Sequence, residues 1–126
     1  MMGNPLADKR VLVAEDEYFI ASDIRRLLEQ EGVIIIGPVG DLPGATRLAG
    51  EAEGIDAAIL DVNLAGELTY PLARSLVERG VACMFLTGYD DWAIPEDCGT
   101  LPRVAKPFSE REVIETLTAL VDAPGS

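Results

Sequence analysis

Ala57-Ala58-Ile59-Leu60-Asp61-Val62-Asn63-Leu64-Ala65-Gly66 is the stretch from which the rest of the chain is read. Four apolar residues in a row suit a strand covered on both faces. The run ends in one carboxylate, Asp61, and Gly66 marks where the chain turns away. Asp61 then stands at the carboxyl end of a central strand, the edge at which open α/β sheets hold ligands. Alone, an Asp at a strand end is commonly a turn residue or a helix cap. The other strand ends decide its meaning.

On the N-terminal side, Arg10–Ala14 reads as a first strand and ends in Glu15-Asp16-Glu17. From Tyr18 the period changes: Ile20, Ile24, Leu27 and Leu28 share one helical face, and Gly32 stands where a left-handed stop is expected. Val33–Ile36, four β-branched residues, reads as a second strand closed by Gly37-Pro38. Asp41 is placed as the cap of a second helix, with Pro43 in its first turn and Ala45, Leu48, Ala49 and Ala52 inward.

On the C-terminal side, Thr69 is placed as the cap of a helix that begins near Pro71. Leu72, Ala73, Leu76 and Val77 form its inner face and Gly80 its stop. Val81–Leu86 is a fourth strand, followed by Thr87-Gly88-Tyr89. Asp90–Pro102 is irregular, broken by Pro95, Gly99 and Pro102, with Trp92 read as a loop anchor. Arg103–Ala105 is a short fifth strand before Lys106-Pro107-Phe108. Ser109-Glu110-Arg111-Glu112 has capping-box spacing, and the helix it opens turns Val113, Leu117, Leu120 and Val121 inward.

Strand and helix alternate along the whole chain, which predicts an α/β fold: a doubly wound five-stranded parallel sheet of order 2-1-3-4-5, with a short or irregular fourth helix. Residues 1–126 are read as a single domain with a core over about 10–122. Ten Lys+Arg against 22 Asp+Glu give a net charge of −12, which argues against nucleic acid as a partner because phosphates are repelled. The first residues lack the apolar core of a secretory signal, and no segment has the length to span a bilayer. Cys83 lies in an apolar run and Cys98 in a polar loop, so the pair is read as free thiols of a reducing, cytoplasmic compartment. The chain has no histidine, which excludes His-based triads and His-metal sites.

In a parallel sheet of that order, Glu15, Asp16, Asp61, Thr87 and Lys106 all fall on one edge, beside the crevice where the winding reverses. Three carboxylates packed together repel, and a hard divalent cation with oxygen ligands relieves them; Mg²⁺ suits such a set. Asp61 is then a candidate carboxylate nucleophile toward phosphorus, with the Thr87 hydroxyl and the Lys106 ammonium holding phosphoryl oxygens. Glu17 is read as an ordinary acidic residue in the first turn of a helix.

The ordered set Glu15-Asp16, Leu60-Asp61-Val62-Asn63-Leu64-x-Gly66, Thr87-Gly88 and Lys106-Pro107-Phe108 resembles the receiver domain of two-component response regulators, over about Arg10 to Val121. The resemblance implies a flavodoxin-like fold and Asp61 as the phosphorylated residue. It implies Mg²⁺ (or Mn²⁺) held by Glu15, Asp16, Asp61 and the backbone carbonyl of Asn63. Thr87 and Lys106 become the switch hydroxyl and the phosphoryl-binding lysine, and Lys106-Pro107 a cis peptide bond. A sensor histidine kinase or His-phosphotransfer protein is implied as donor, and a downstream protein partner as reader. Such a module turns over no independent metabolite and is not an enzyme in the usual sense.

Two departures stand out. Arg103, Val104 and Ala105 offer no aromatic switch residue, and Ala65 replaces the usual proline. Phe85-Leu86-Thr87-Gly88-Tyr89 resembles the Phe-Ala-Thr-Gly-Tyr stretch of a mostly single-domain subclass, which makes Tyr89 a candidate for partner contact. The expected switch is ordering of a loosely packed Asp90–Pro102. The alternatives are a haloacid-dehalogenase-type phosphatase with an Asp nucleophile, whose second Asp is here Asn63, and a pseudo-receiver that works without phosphorylation.

Overall fold

The computed structural model describes residues 4–88 and 94–122. The chain runs through β1 (Arg10–Ala14), α1 (Tyr18–Gln30), β2 (Ile34–Val39), α2 (Leu42–Glu51) and β3 (Ala57–Asp61). Two short strands follow, β4 (Asn63–Leu64) and β5 (Glu67–Leu68), then α3 (Tyr70–Glu78), β6 (Ala82–Thr87), a 3-10 turn (Glu96–Cys98), β7 (Arg103–Ala105) and α4 (Glu110–Asp122). β2, β1, β3, β6 and β7 form one parallel sheet in that order. This is the expected 2-1-3-4-5 winding, with the small β4–β5 ribbon set apart. Between β6 and β7 the described residues hold only the 3-10 turn where the alternation calls for a helix.

All five residues of β3 are buried, and alternation sends them to two cores. Ala58 and Leu60 join Leu12, Leu76 and Phe85 on one face. Ala57 and Ile59 join Val11, Ile24, Met84 and Leu117 on the other. Burying Ile59 and Leu60 contributes about 2–3 kcal/mol each. The helical faces follow the sequence pattern: Ile24, Leu27 and Leu28 in α1, and Ala45 and Ala49 in α2, are buried.

The local stops and starts are mostly where the sequence puts them. Asp41 Oδ1 accepts from Gly44 N at 2.6 Å. Ser109 and Glu112 form a complete capping box, Glu112 N to Ser109 Oγ at 3.1 Å and Ser109 N to Glu112 Oε1 at 3.0 Å.

Four details differ from the sequence reading. β2 does not close at Gly37-Pro38 but continues to Val39. It lies at the sheet edge, where proline's missing N–H breaks no inner ladder, and its register to β1 shifts between Leu12 and Ala14. In α3, Val77 is 45% exposed, and Tyr70 is buried in its stead, edge-on to Phe85 at 5.6 Å. Cys98 is buried, not part of a polar loop, and Ile94 and Leu101 pack against the same core. Thr69 sits at the N-cap of α3 yet makes no side-chain cap bond.

Candidate functional site

Strand register assembles the site. Ala14 is level with Leu60 across β1 and β3, so the next residues, Glu15 and Asp61, come side by side. Asp61 is level with Leu86, and Thr87 with Ala105, so Thr87 and Lys106 follow on the same edge. The N–H of Lys106 donates to the carbonyl of Thr87 at 2.8 Å. The peptide bond between Lys106 and Pro107 is cis, as the motif implied.

Glu15 and Asp61 are each only 2% exposed. The extension of β2 matters here, because the carbonyl of Val39 accepts from Glu15 N at 3.0 Å. Glu15 Oε2 accepts from the N–H of Glu17 at 2.9 Å. The Lys106 ammonium reaches back over β6 and lies 2.8 Å from both Glu15 Oε1 and Asp61 Oδ1. Asp61 Oδ2 is buried and has no hydrogen-bond partner among the described residues. Burial, reinforced by neighbouring Glu15 and only partly offset by Lys106, pushes the Asp61 carboxyl up to about 9. Burial disfavours the charge on Lys106, but its bonds to Asp61 and Glu15 outweigh that and hold its pKa above the ordinary value.

Asp16 is exposed, so the crowding is chiefly between Glu15 and Asp61. Still, one carboxylate oxygen from each of Glu15, Asp16 and Asp61 lies within 4.8 Å of the others. Three carboxylates within reach of one another, two of them buried, are a hard oxygen set that fits a divalent cation. Thr87 is buried at the same edge. Tyr89 and Trp92 lie outside the described residues.

After Asp61 the chain makes a tight ribbon that the sequence reading did not foresee. β4 and β5 pair antiparallel, Asn63 with Leu68 and Leu64 with Glu67. The two linking residues, Ala65 and Gly66, both have positive φ, 51° and 89°, the signature of a type I′ turn. Such a turn closes on a bonded pair, here Leu64–Glu67, and leaves Asn63–Leu68 a non-bonded one. The Asn63 carbonyl is therefore not consumed by the ribbon. Its side chain is: Asn63 Oδ1 accepts from Gly66 N at 2.9 Å. Gly66 was visible as a turn signal, but Ala65 gives no sign of its left-handed conformation. Thr69, also missed, donates its hydroxyl to the carbonyl of Asp61 at 2.5 Å.

No family model matches the chain. The solution structure of SdrG from Sphingomonas melonis Fr1 superposes with a TM-score of 0.80 at 36% identity, covering 90% of this chain and 97% of SdrG. The solution structure of a BeF3-activated conformation of SdrG gives 0.72 at 33% identity, over 96% of this chain and 99% of that one. The transcriptional regulatory protein PdtaR of Mycobacterium tuberculosis is 32% identical over 117 residues. This chain spans 57% of the length of PdtaR. The receiver domain of the Erythrobacter litoralis PhyR response regulator, at 23% identity and a TM-score of 0.73, shares the fold.

Proposed function

The chain belongs to the receiver-domain family of response regulators, and from that premise we propose that Asp61 accepts a phosphoryl group from a phosphohistidine donor and thereby switches the binding of a protein partner. The observation that carries this reading is the pairing at the sheet edge. One lysine bridges two buried carboxylates, and one oxygen of Asp61 has no donor among the described residues. A relative with a BeF3-activated conformation, SdrG, supports the same chemistry.

Asp61 Oδ2 is the oxygen assigned to attack. Its bond to phosphorus forms as the bond from phosphorus to the donor imidazole nitrogen breaks, and the imidazole keeps the electron pair. Glu15, Asp16, Asp61 and the Asn63 carbonyl would hold Mg²⁺, which when bound supplies positive charge to ionise Asp61 and neutralise phosphoryl oxygens. Lys106, already 2.8 Å from Asp61 Oδ1, is released from that carboxylate and takes a phosphoryl oxygen as its new counter-charge. Thr87 offers a hydroxyl donor from the end of β6. Burial keeps water from the acyl phosphate. The donor is a sensor histidine kinase or a His-phosphotransfer protein, and the reader is a protein.

The phosphatase reading needs an acid/base two residues beyond the nucleophile, and Asn63 offers an amide tied to Gly66. A pseudo-receiver has no need of the Glu15–Lys106–Asp61 arrangement. The test is incubation of the chain with acetyl phosphate and Mg²⁺ followed by intact mass. One phosphoryl adduct is expected, absent in chelator and in Asp61→Asn. An unchanged adduct in Asp61→Asn moves the site elsewhere.

A further inference from the structure

Thr69 occupies the N-cap of α3, where a hydroxyl ordinarily accepts from a helical N–H two or three residues on. Here the hydroxyl makes no such bond. Oγ1 donates to the main-chain carbonyl of Asp61 at 2.5 Å and lies 3.4 Å from that of Val62. Thr69 is fully buried, so solvent does not compete for the bond. The next link is on the other side of the same peptide: Val62 N donates to the carbonyl of Leu86 at 3.1 Å. The planar unit joining Asp61 to Val62 is thus held at both ends, by Thr69 and by β6. That unit fixes the ψ angle of Asp61, and with it the direction in which the carboxylate leaves the strand end.

We propose that Thr69 is a positioning residue for phosphoryl transfer to Asp61, a role that rests on the reading of Asp61 as acceptor. Its hydroxyl is diverted from the helix it begins to the peptide that aims the nucleophile. The N–H of Thr69 adds a second tie, to the carbonyl of Val62 at 3.0 Å. One residue therefore closes the loop that starts at Asp61 and carries Asn63. Without the hydroxyl, the Asp61 carbonyl is left buried and without its donor, and the peptide turns to find another. The carboxylate is then misaimed relative to Lys106 and Glu15, and small misplacements of a reacting group are costly in rate.

The test is the rate of acyl-phosphate formation by the full chain with acetyl phosphate and saturating Mg²⁺. Thr69→Val keeps the shape and removes the donor, and Thr69→Ser keeps the donor. Leu76→Ala, on the same helix, serves as a control for lost stability alone. The expected result is a slowing of about ten-fold or more for Thr69→Val, with Thr69→Ser and Leu76→Ala near wild type. Should Thr69→Val fail to fold, Thr69→Cys, a much weaker donor, carries the comparison. A Thr69→Val rate equal to wild type, or slowed no more than Leu76→Ala, overturns the positioning role. A Thr69→Ser rate as slow as Thr69→Val overturns it too. If wild type itself takes no label, the acceptor reading fails first, and the role of Thr69 falls with it.

Discussion

Lys106 and Asp61 meet at 2.8 Å, from a loop after β7 and the end of β3, with β6 between their strands. The same ammonium holds Glu15 at the same distance. The edge of the sheet is therefore a set of charges that depend on one another, and perturbing one has readable consequences for the others.

The Asp61 carboxyl, pushed up mainly by burial to about 9 from a usual 3.8, makes stability depend on pH. Between those values the folded, metal-free chain keeps a proton that the unfolded chain has lost. Its stabilising contribution is full below about pH 4 and is lost as pH rises toward about 9. Urea midpoints in chelator are expected to fall from about pH 5 to about pH 8, and Asp61→Asn is expected to remove most of that slope. A wild-type midpoint that rises across this window contradicts the assignment.

Removing Lys106 leaves Glu15 buried without the ammonium that it shares with Asp61. Lys106→Met is expected to destabilise the metal-free chain by about 2 kcal/mol. The same change in an Asp61→Asn background is expected to cost clearly less, a coupling of about 1 kcal/mol by a double-mutant cycle. Additive losses would mean that the pair does not interact in solution.

Ala65 holds φ at 51°, a conformation that costs an L-residue about 1–2 kcal/mol. Ala65→Gly is expected to stabilise the chain by about 0.5–1 kcal/mol after glycine's own entropy cost. Ala65→Pro, with φ fixed near −65°, is expected to break the ribbon and destabilise it. Equilibrium unfolding decides both. A more stable Ala65→Pro rules out the turn described for residues 63–68.

What was legible in the sequence, and what was not, divides along physical lines. Parallel strands buried on both faces betray themselves as unbroken apolar runs, and their polar ends line up because register is uniform. That made Glu15, Asp61, Thr87 and Lys106 readable together. The Ala65–Gly66 turn was not readable, because its first residue adopts by tertiary constraint a conformation that its type disfavours. Thr69 looked like a cap because cap and buried donor use the same hydroxyl. β2 seemed to stop at Gly37-Pro38 because proline ends inner strands but not edges. Cys98 reads as a polar-loop residue because its neighbours are polar, yet Arg74 binds Asp97 at 2.6 Å beside it, and the 3-10 turn tucks the thiol inside.

That packing bears on the switch. With Cys98 and Leu101 anchored, residues 94–102 are expected to resist exchange before phosphorylation as well as after it, contrary to a wholesale ordering of Asp90–Pro102. The thiols report the same point. Burial raises the pKa of Cys83 to about 12 and that of Cys98 above its usual value, so both are expected to react with a thiol reagent only after unfolding. Prompt native-state labelling of Cys98 would mean that the turn opens freely.

The most direct measurement of the central claim is chemical trapping of the acyl phosphate. The chain is treated with acetyl phosphate in Mg²⁺ or in chelator, reduced with borohydride, digested and mapped by peptide mass, so that the residue that carried phosphate is marked. The account predicts one marked position, Asp61, in Mg²⁺ and none in chelator. A mark at another carboxylate, or an equal mark at Asp61 without the metal, would contradict it.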